Sequence, residues 1–89
     1  MTARDIIRAA YGESKNFITP HVLGIGRLPF GAYELSTGSG ITTKTLYGVS
    51  IAKITPNGVE RCYELSKVFH SKCAARTHIE ALKRMNEAP

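Results

Sequence analysis

The fold is decided by residues 43–65, which read TKTLYGVSIAKITPNGVERCYEL. From Tyr47 to Ala52, large apolar residues alternate with small ones, the period of a strand whose successive side chains face opposite sides of a sheet. Proline, asparagine and glycine at 56–58 are typical of a tight turn. Because a second alternating run, Val59–Leu65, follows this turn directly, we predict an antiparallel hairpin.

The N-terminal residues 3–11 are predicted to form a helix. Thr2 and Asp5 stand three residues apart, the spacing of a capping box in which each side chain binds the backbone N–H of the other residue. Gly12 follows the last apolar position, and glycine readily adopts the left-handed backbone that ends many helices. Both ends of this helix are therefore marked in the sequence.

A further strand and a second helix are expected on either side of the hairpin. Ala32–Thr37 alternates apolar and polar residues, which predicts a strand. Residues 67–86 have helical periodicity, with Ser66 or Ser71 as the N-cap. The apolar stripe of this helix, expected to lie on the sheet, comprises Val68, Ala75, Ile79 and Leu82.

Together these elements predict one small domain over residues 1–89. Its expected class is α+β: an antiparallel sheet of three or four strands, with an N-terminal and a C-terminal helix packed on one face. Prolines and glycines interrupt residues 13–31, which we interpret as a long loop. Whether residues 17–28 supply a fourth strand stays open.

The composition disfavours several classes of active site and of location. Twelve Lys and Arg oppose seven Asp and Glu, a net charge of +5, and Asp5 is the sole aspartate, so calcium loops and paired-aspartate catalysis are disfavoured. No run approaches the roughly 20 apolar residues of a transmembrane helix, and the N-terminus has no signal-peptide pattern. Two cysteines are too few for a secreted disulfide scaffold. We expect a cytoplasmic protein with no membrane partner.

Two patterns come close to known chemistry without matching it. Gly38–Thr45 follows the spacing of a phosphate-binding P-loop, but Thr43 replaces the second glycine and a β-rich run follows instead of a helix. We interpret it as a flexible hairpin loop. Four residues are of the types that bind zinc, and they are Cys62, His70, Cys73 and His78. Their spacing fits no usual zinc pattern. We predict no enzyme activity, no cofactor and no metal site.

Cations concentrate near the C-terminal end of the chain. The six that we assign to a nucleic-acid-binding surface are Arg61, Lys67, Lys72, Arg76, Lys83 and Arg84. Lys72, Arg76 and Lys83 fall within about 40° of one another around a helix, and Arg84 lies further round. Such a stripe can contact a phosphate backbone, so we expect non-catalytic binding to RNA, DNA or a nucleoprotein complex. An ordinary solvated helix face is the competing interpretation.

The chain resembles a double-stranded-RNA-binding domain in part of its pattern. Ser71-Lys72 opens a helix that carries Ala75-Arg76, and Tyr33 precedes the apolar strand positions of the hairpin. The resemblance is one of topology, helix-strand-strand-strand-helix. Residues 13–31 are too long for the first loop of that family, and Cys73 stands where it has a second lysine.

A function of another class is a protein-interaction module or inhibitor. In size and in lack of catalytic residues, the chain resembles the small accessory proteins of mobile elements, such as anti-CRISPR and anti-restriction proteins. The apolar anchors of such a protein would come from the 13–31 loop, and they are Phe17, Val22, Leu23 and Phe30.

Overall fold

The structure, a computed structural model, describes residues 2–12, 21–39 and 44–87. In chain order its elements are α1 (Ala3–Tyr11), β1 (His21–Leu28), β2 (Gly31–Ser39), β3 (Thr45–Thr55), β4 (Gly58–Arg61), β5 (Lys67–Phe69) and α2 (Lys72–Glu87). The strands pair antiparallel in the order β1-β2-β3-β4, and β5 pairs with β3 beside β4. The α+β class and the antiparallel sheet between two terminal helices are confirmed. The open question about a further strand is answered by β1.

The predicted caps of α1 are both present. The backbone N–H of Asp5 donates to Thr2 Oγ1 at 3.2 Å, and the N–H of Thr2 donates to Asp5 Oδ2 at 3.1 Å. The bond from the Thr2 N–H lowers the pKa of the Asp5 carboxyl, because it stabilises the charged form. At the other end, Gly12 has φ of 69° and donates its N–H to the carbonyl of Arg8.

The second half of the hairpin departs from the prediction. The turn pairs Thr55 with Gly58 as expected, but β4 ends at Arg61 instead of Leu65. The chain then turns at Cys62, whose carbonyl accepts the N–H groups of Leu65 and Ser66 at 3.3 and 3.1 Å. The predicted strand is therefore only partly formed, as β4, and a separate short strand, β5, follows it.

The C-terminal helix begins later than predicted because residues 67–69 are paired in β5. Ser71 is the N-cap, with its Oγ accepting the N–H of Ala74 at 3.0 Å. Val68 consequently lies on β5 and is 58% exposed, so its assignment to the helix stripe was wrong. The other three stripe residues are buried as predicted, and they are Ala75, Ile79 and Leu82.

The two helices pack on opposite faces of the sheet, so their predicted placement on one face was wrong. Leu35, Val49 and Ile51 share one cluster with the buried stripe of α2. Ala32 and Ala52 belong to a second cluster with the isoleucines of α1. The sheet is therefore the middle layer of three. The physical reason is that the second face carries small residues, which allow a helix to approach closely.

A polar junction joins α1 to the gap between β4 and β5. The N–H of the fully buried Ile51 donates to Ser66 Oγ at 2.9 Å, and its carbonyl accepts the N–H of Cys62 at 2.9 Å. Ser66 Oγ in turn donates to the Cys62 carbonyl at 2.7 Å. The Tyr11 hydroxyl donates to the Ile51 carbonyl at 2.6 Å and lies 2.9 Å from Ser66 Oγ. Ile51 of β3 pairs with neither β4 nor β5, and its backbone groups are bound instead by two side chains and the Cys62 N–H.

Candidate nucleic-acid interface

The outward face of α2 carries a row of residues four positions apart. Lys72, Arg76, Glu80 and Arg84 all belong to it, and residues at i and i+4 are neighbours on a helix surface. They line one shallow depression of about 640 Å³, whose remaining lining residues are Cys73, Thr77 and Ala81. All seven are exposed. We call this surface the α2 row.

The charge of the α2 row is positive. Its three cations face one carboxylate, Glu80, and the Lys83 ammonium lies 3.4 Å from Glu80 Oε1. An exposed ion pair of this kind contributes at most about 1 kcal/mol to stability, but it offsets the carboxylate locally. The first turn of α2 has no acidic residue, so the positive end of the helix dipole adds to the field around Lys72.

Lys83 lies at the border between the α2 row and the sheet. Its ammonium is 5.3 Å from the centre of the Tyr33 ring, a cation–π distance, and its side chain is 34% exposed. The prediction grouped Lys83 with Lys72 and Arg76 and placed Arg84 further round. In the structure Arg84 lines the depression with the other two cations, and Lys83 does not.

Arg61 is engaged with α1 instead of the α2 row. Its Nε donates to the Ala10 carbonyl at 2.6 Å, at the end of α1, and its guanidinium carbon lies 5.3 Å from the centre of the Tyr11 ring. Its Nη1 donates to the Tyr63 hydroxyl at 2.8 Å, and this bond raises the pKa of the guanidinium. Arg61 thus joins β4 to the helix on the other face of the sheet.

Lys67 is exposed on β5, at the edge of the sheet, and does not line the depression. The six cations assigned from sequence therefore divide into three groups. Lys72, Arg76 and Arg84 come together, Lys83 adjoins them, and Arg61 and Lys67 lie elsewhere. The i, i+4, i+8, i+12 spacing of the α2 row is the sequence signal that would have found this grouping.

Both broad faces of the sheet are covered by a helix, so the strand tyrosines form no open surface on which successive bases could stack. Tyr33 and Tyr47 are partly buried against the α2 cluster. Tyr63 is 67% exposed, but its hydroxyl accepts the bond from Arg61. Tyr33 and Tyr47 therefore pack against the core.

Of the four apolar anchors assigned to the alternative function, the three that the structure describes do not form one surface. Val22 and Leu23 lie on β1 and are 52% and 36% exposed, with a register shift between Val22 and Gly24. Phe30 packs against the core instead of standing out as an anchor. Phe17 lies outside the described residues. The 13–31 segment is not one loop, since β1 occupies His21–Leu28.

The residues considered as zinc ligands differ in burial and in their contacts. Cys62 is buried, Cys73 is exposed, and His78 Nε2 lies 2.6 Å from the Leu65 carbonyl. Within the described residues, no three His, Cys, Asp or Glu side chains come close enough together to hold a metal ion. The P-loop-like segment connects β2 to β3, and its residues 40–43 lie outside the described part. Neither α1 nor α2 has the length and apolar character needed to cross a membrane.

Comparison with known proteins finds no relative of this chain. No protein-family model matches the chain, and searches of curated proteins and of solved structures find no match either. The helix-strand-strand-strand-helix order on which the chain resembles a double-stranded-RNA-binding domain also differs from the observed order, which has five strands in the described part of the chain.

Proposed function

We propose that this protein is a non-catalytic binding protein that contacts nucleic acid, alone or within a nucleoprotein complex, through the α2 row. The observation that carries the proposal is the convergence of Lys72, Arg76 and Arg84 on one exposed depression. Twelve residues of helix separate the first cation from the last, a rise of about 18 Å. Phosphates follow one another every roughly 3.4 Å along the axis of one strand of a duplex, so this length corresponds to about five phosphates.

Binding through the α2 row depends on phosphate contact and not on base sequence. The arginine guanidinium presents a fork of N–H donors that matches two phosphate oxygens, whereas the lysine ammonium acts as a mobile point charge. Thr77 adds no hydroxyl donor, because its Oγ1 already donates to the Cys73 carbonyl at 2.9 Å. We include a cytoplasmic location in the proposal.

The test is the salt dependence of binding to a fluorescent oligonucleotide, measured by anisotropy. Three neutralised phosphates give a slope of log K against log salt of about −2.7 on duplex DNA, or an affinity loss of about 40-fold between about 50 and about 200 mM salt. The double variant Lys72→Glu/Arg76→Glu should lose most of the binding and reduce the magnitude of the slope by about 2.

A matched control separates local contact from net charge. Arg4→Glu/Lys44→Glu also reverses one arginine and one lysine, both exposed and distant in sequence from α2. Each reversal removes two charge units, so both double variants carry +1 instead of +5. The control should keep an affinity within a few-fold of the native protein. Equal losses in the two variants would show that net charge, and not the α2 row, drives binding.

The exposed Val22 and Leu23 favour a second candidate, a protein-interaction module that docks through β1. Apolar docking responds weakly to salt, because it does not release counterions. The affinity of the native protein for such a partner should change little with salt, and Leu23→Asp should abolish the interaction. Nucleic-acid binding that depends on Lys72 and Arg76 would favour the first candidate instead.

A further inference from the structure

A small slot lies between α2 and β1, next to the α2 row. It has a volume of about 80 Å³ and is lined by Leu23, Gly24, Tyr33, Leu35 and Ile79, with Arg76 and Glu80 on the α2 side. Arg76 and Glu80 also line the depression of the α2 row, so the two hollows adjoin each other at these residues. The sequence patterns gave no indication of this slot.

The slot exists because β1 has glycine where it passes α2. A Cβ atom placed on Gly24 would meet nothing within 4 Å, so the space above this residue is open. At Gly26 the equivalent space is filled, because a Cβ atom there would lie 2.5 Å from atoms of the Tyr33 ring. Tyr33 thus closes one end of the hollow over Gly26 and leaves the end at Gly24 unfilled.

We propose that this slot binds one unpaired nucleobase of a single-stranded nucleic acid whose phosphates lie along the α2 row. The inference rests on the proposed function and names the form of nucleic acid that it takes. A water needs roughly 15 Å³, and an enclosed apolar cavity of roughly 150 Å³ holds benzene. A slot between these sizes, open on one side, accepts a planar ring by its edge.

Charge complementarity selects the occupant. Arg76 lines both the slot and the α2 row, so a phosphate bound by its guanidinium would bring the attached base to the slot. Leucine, isoleucine and tyrosine side chains supply an apolar wall, and Glu80 supplies an acceptor for an exocyclic amino group. A base in a duplex is paired and stacked, so it does not reach the slot.

The test compares an intact single-stranded oligonucleotide with an abasic oligonucleotide of equal length, which keeps the phosphates and lacks the bases. The native protein should bind the intact strand roughly 5- to 150-fold more tightly, the range that stacking of one base contributes. Gly24→Val fills the slot and should lower the affinity for the intact strand to the abasic value. Duplex binding and the salt slope should not change.

Two further variants complete the comparison. Ala74→Val adds the same kind of side chain to an exposed position of α2 that lines neither hollow, so it should keep the preference for bases. Gly24→Ala fills less of the slot and should give an intermediate loss. Far-UV circular dichroism should show that each variant is folded, since Gly24 has no contact to disturb and a β-branched residue suits a strand.

Each possible result bears on the slot, on the α2 row, or on both. A preference for the intact strand that survives Gly24→Val means that the base binds elsewhere and overturns the slot. Equal binding of intact and abasic strands, lost in Lys72→Glu/Arg76→Glu, overturns the slot and leaves phosphate binding by the α2 row intact. Absence of binding to any oligonucleotide overturns both.

Discussion

Replacing Ser66 by alanine should destabilise the protein by about 2 kcal/mol, because it leaves one buried donor without an acceptor. Ser66 Oγ accepts the N–H of Ile51, a residue with no exposed surface, at 2.9 Å. The other groups bound by Ser66 Oγ keep partners. The Cys62 carbonyl still accepts two backbone N–H groups, and the Tyr11 hydroxyl still donates to the Ile51 carbonyl at 2.6 Å.

The magnitude follows from that single unsatisfied N–H. Burying a donor without a partner costs about 1–3 kcal/mol, a large part of the 5–15 kcal/mol by which domains of this kind are stable. In a chain of 89 residues, each kcal/mol corresponds to roughly 4–8 °C in melting temperature. The expected decrease for Ser66→Ala is therefore about 8–16 °C.

Urea unfolding followed by circular dichroism measures this change, and Tyr11→Phe provides the matched comparison. That variant removes a hydroxyl from the same junction, but the Ile51 carbonyl keeps the Cys62 N–H at 2.9 Å, so no backbone group loses its last partner. Its expected cost is about 0.5–1.5 kcal/mol. A Ser66→Ala variant that loses less stability than Tyr11→Phe would refute this account of the junction.

Three further outcomes are expected. Arg61→Ala should lower the urea midpoint, because it removes the contacts between β4 and the end of α1. It should leave the affinity for an oligonucleotide within about twofold of the native value. A loss of affinity as large as that of Lys72→Glu/Arg76→Glu would show that Arg61 belongs to the interface. Asp5→Asn should be less stable than the native protein near neutral pH, and the difference should vanish as the pH falls through the lowered pKa of the native Asp5 carboxyl; unfolding monitored at several pH values checks this sign. Gly31→Ala should be strongly destabilising, since its Cβ would overlap a backbone carbonyl of β3, whereas Gly24→Ala should be neutral or stabilising; equal melting temperatures would contradict the packing.

The features that sequence predicted well are those fixed by neighbours in the chain. The capping box of Thr2 and Asp5 and the turn before Gly58 depend on spacings of three residues. The buried side of α2 follows from helical periodicity alone. Local geometry determines these features without contacts from distant segments.

The features that sequence missed depend on contacts between distant segments. Glu34 and Ser36 follow a polar alternation typical of a solvent-facing side, yet both are buried, because α1 covers that face of the sheet. The pattern showed which residues share a face and not which element covers it. Likewise β5 has three residues, too few for a periodic signal, and forms through pairing with Tyr47–Val49 of β3.

The same distinction applies to the candidate site. The spacing of Lys72, Arg76 and Arg84 was present in the sequence, since a helix of known handedness determines its own surface rows. The engagement of Arg61 was not, because its acceptor belongs to Ala10, 51 residues earlier in the chain. Charge counts identify a cationic segment, and only the fold separates cations that bind the protein itself from those that face outward.

The central claim is that α2 presents the surface that meets nucleic acid, and an NMR titration tests it most directly. Assigned ¹H–¹⁵N spectra of the native protein, recorded with increasing single-stranded oligonucleotide, report contact at each backbone amide. We predict the largest shifts at amides from Lys72 to Arg84 and beside the slot at Gly24, decreasing as salt is added. Shifts centred on α1 or on β4, with the amides of α2 unchanged, would contradict the claim.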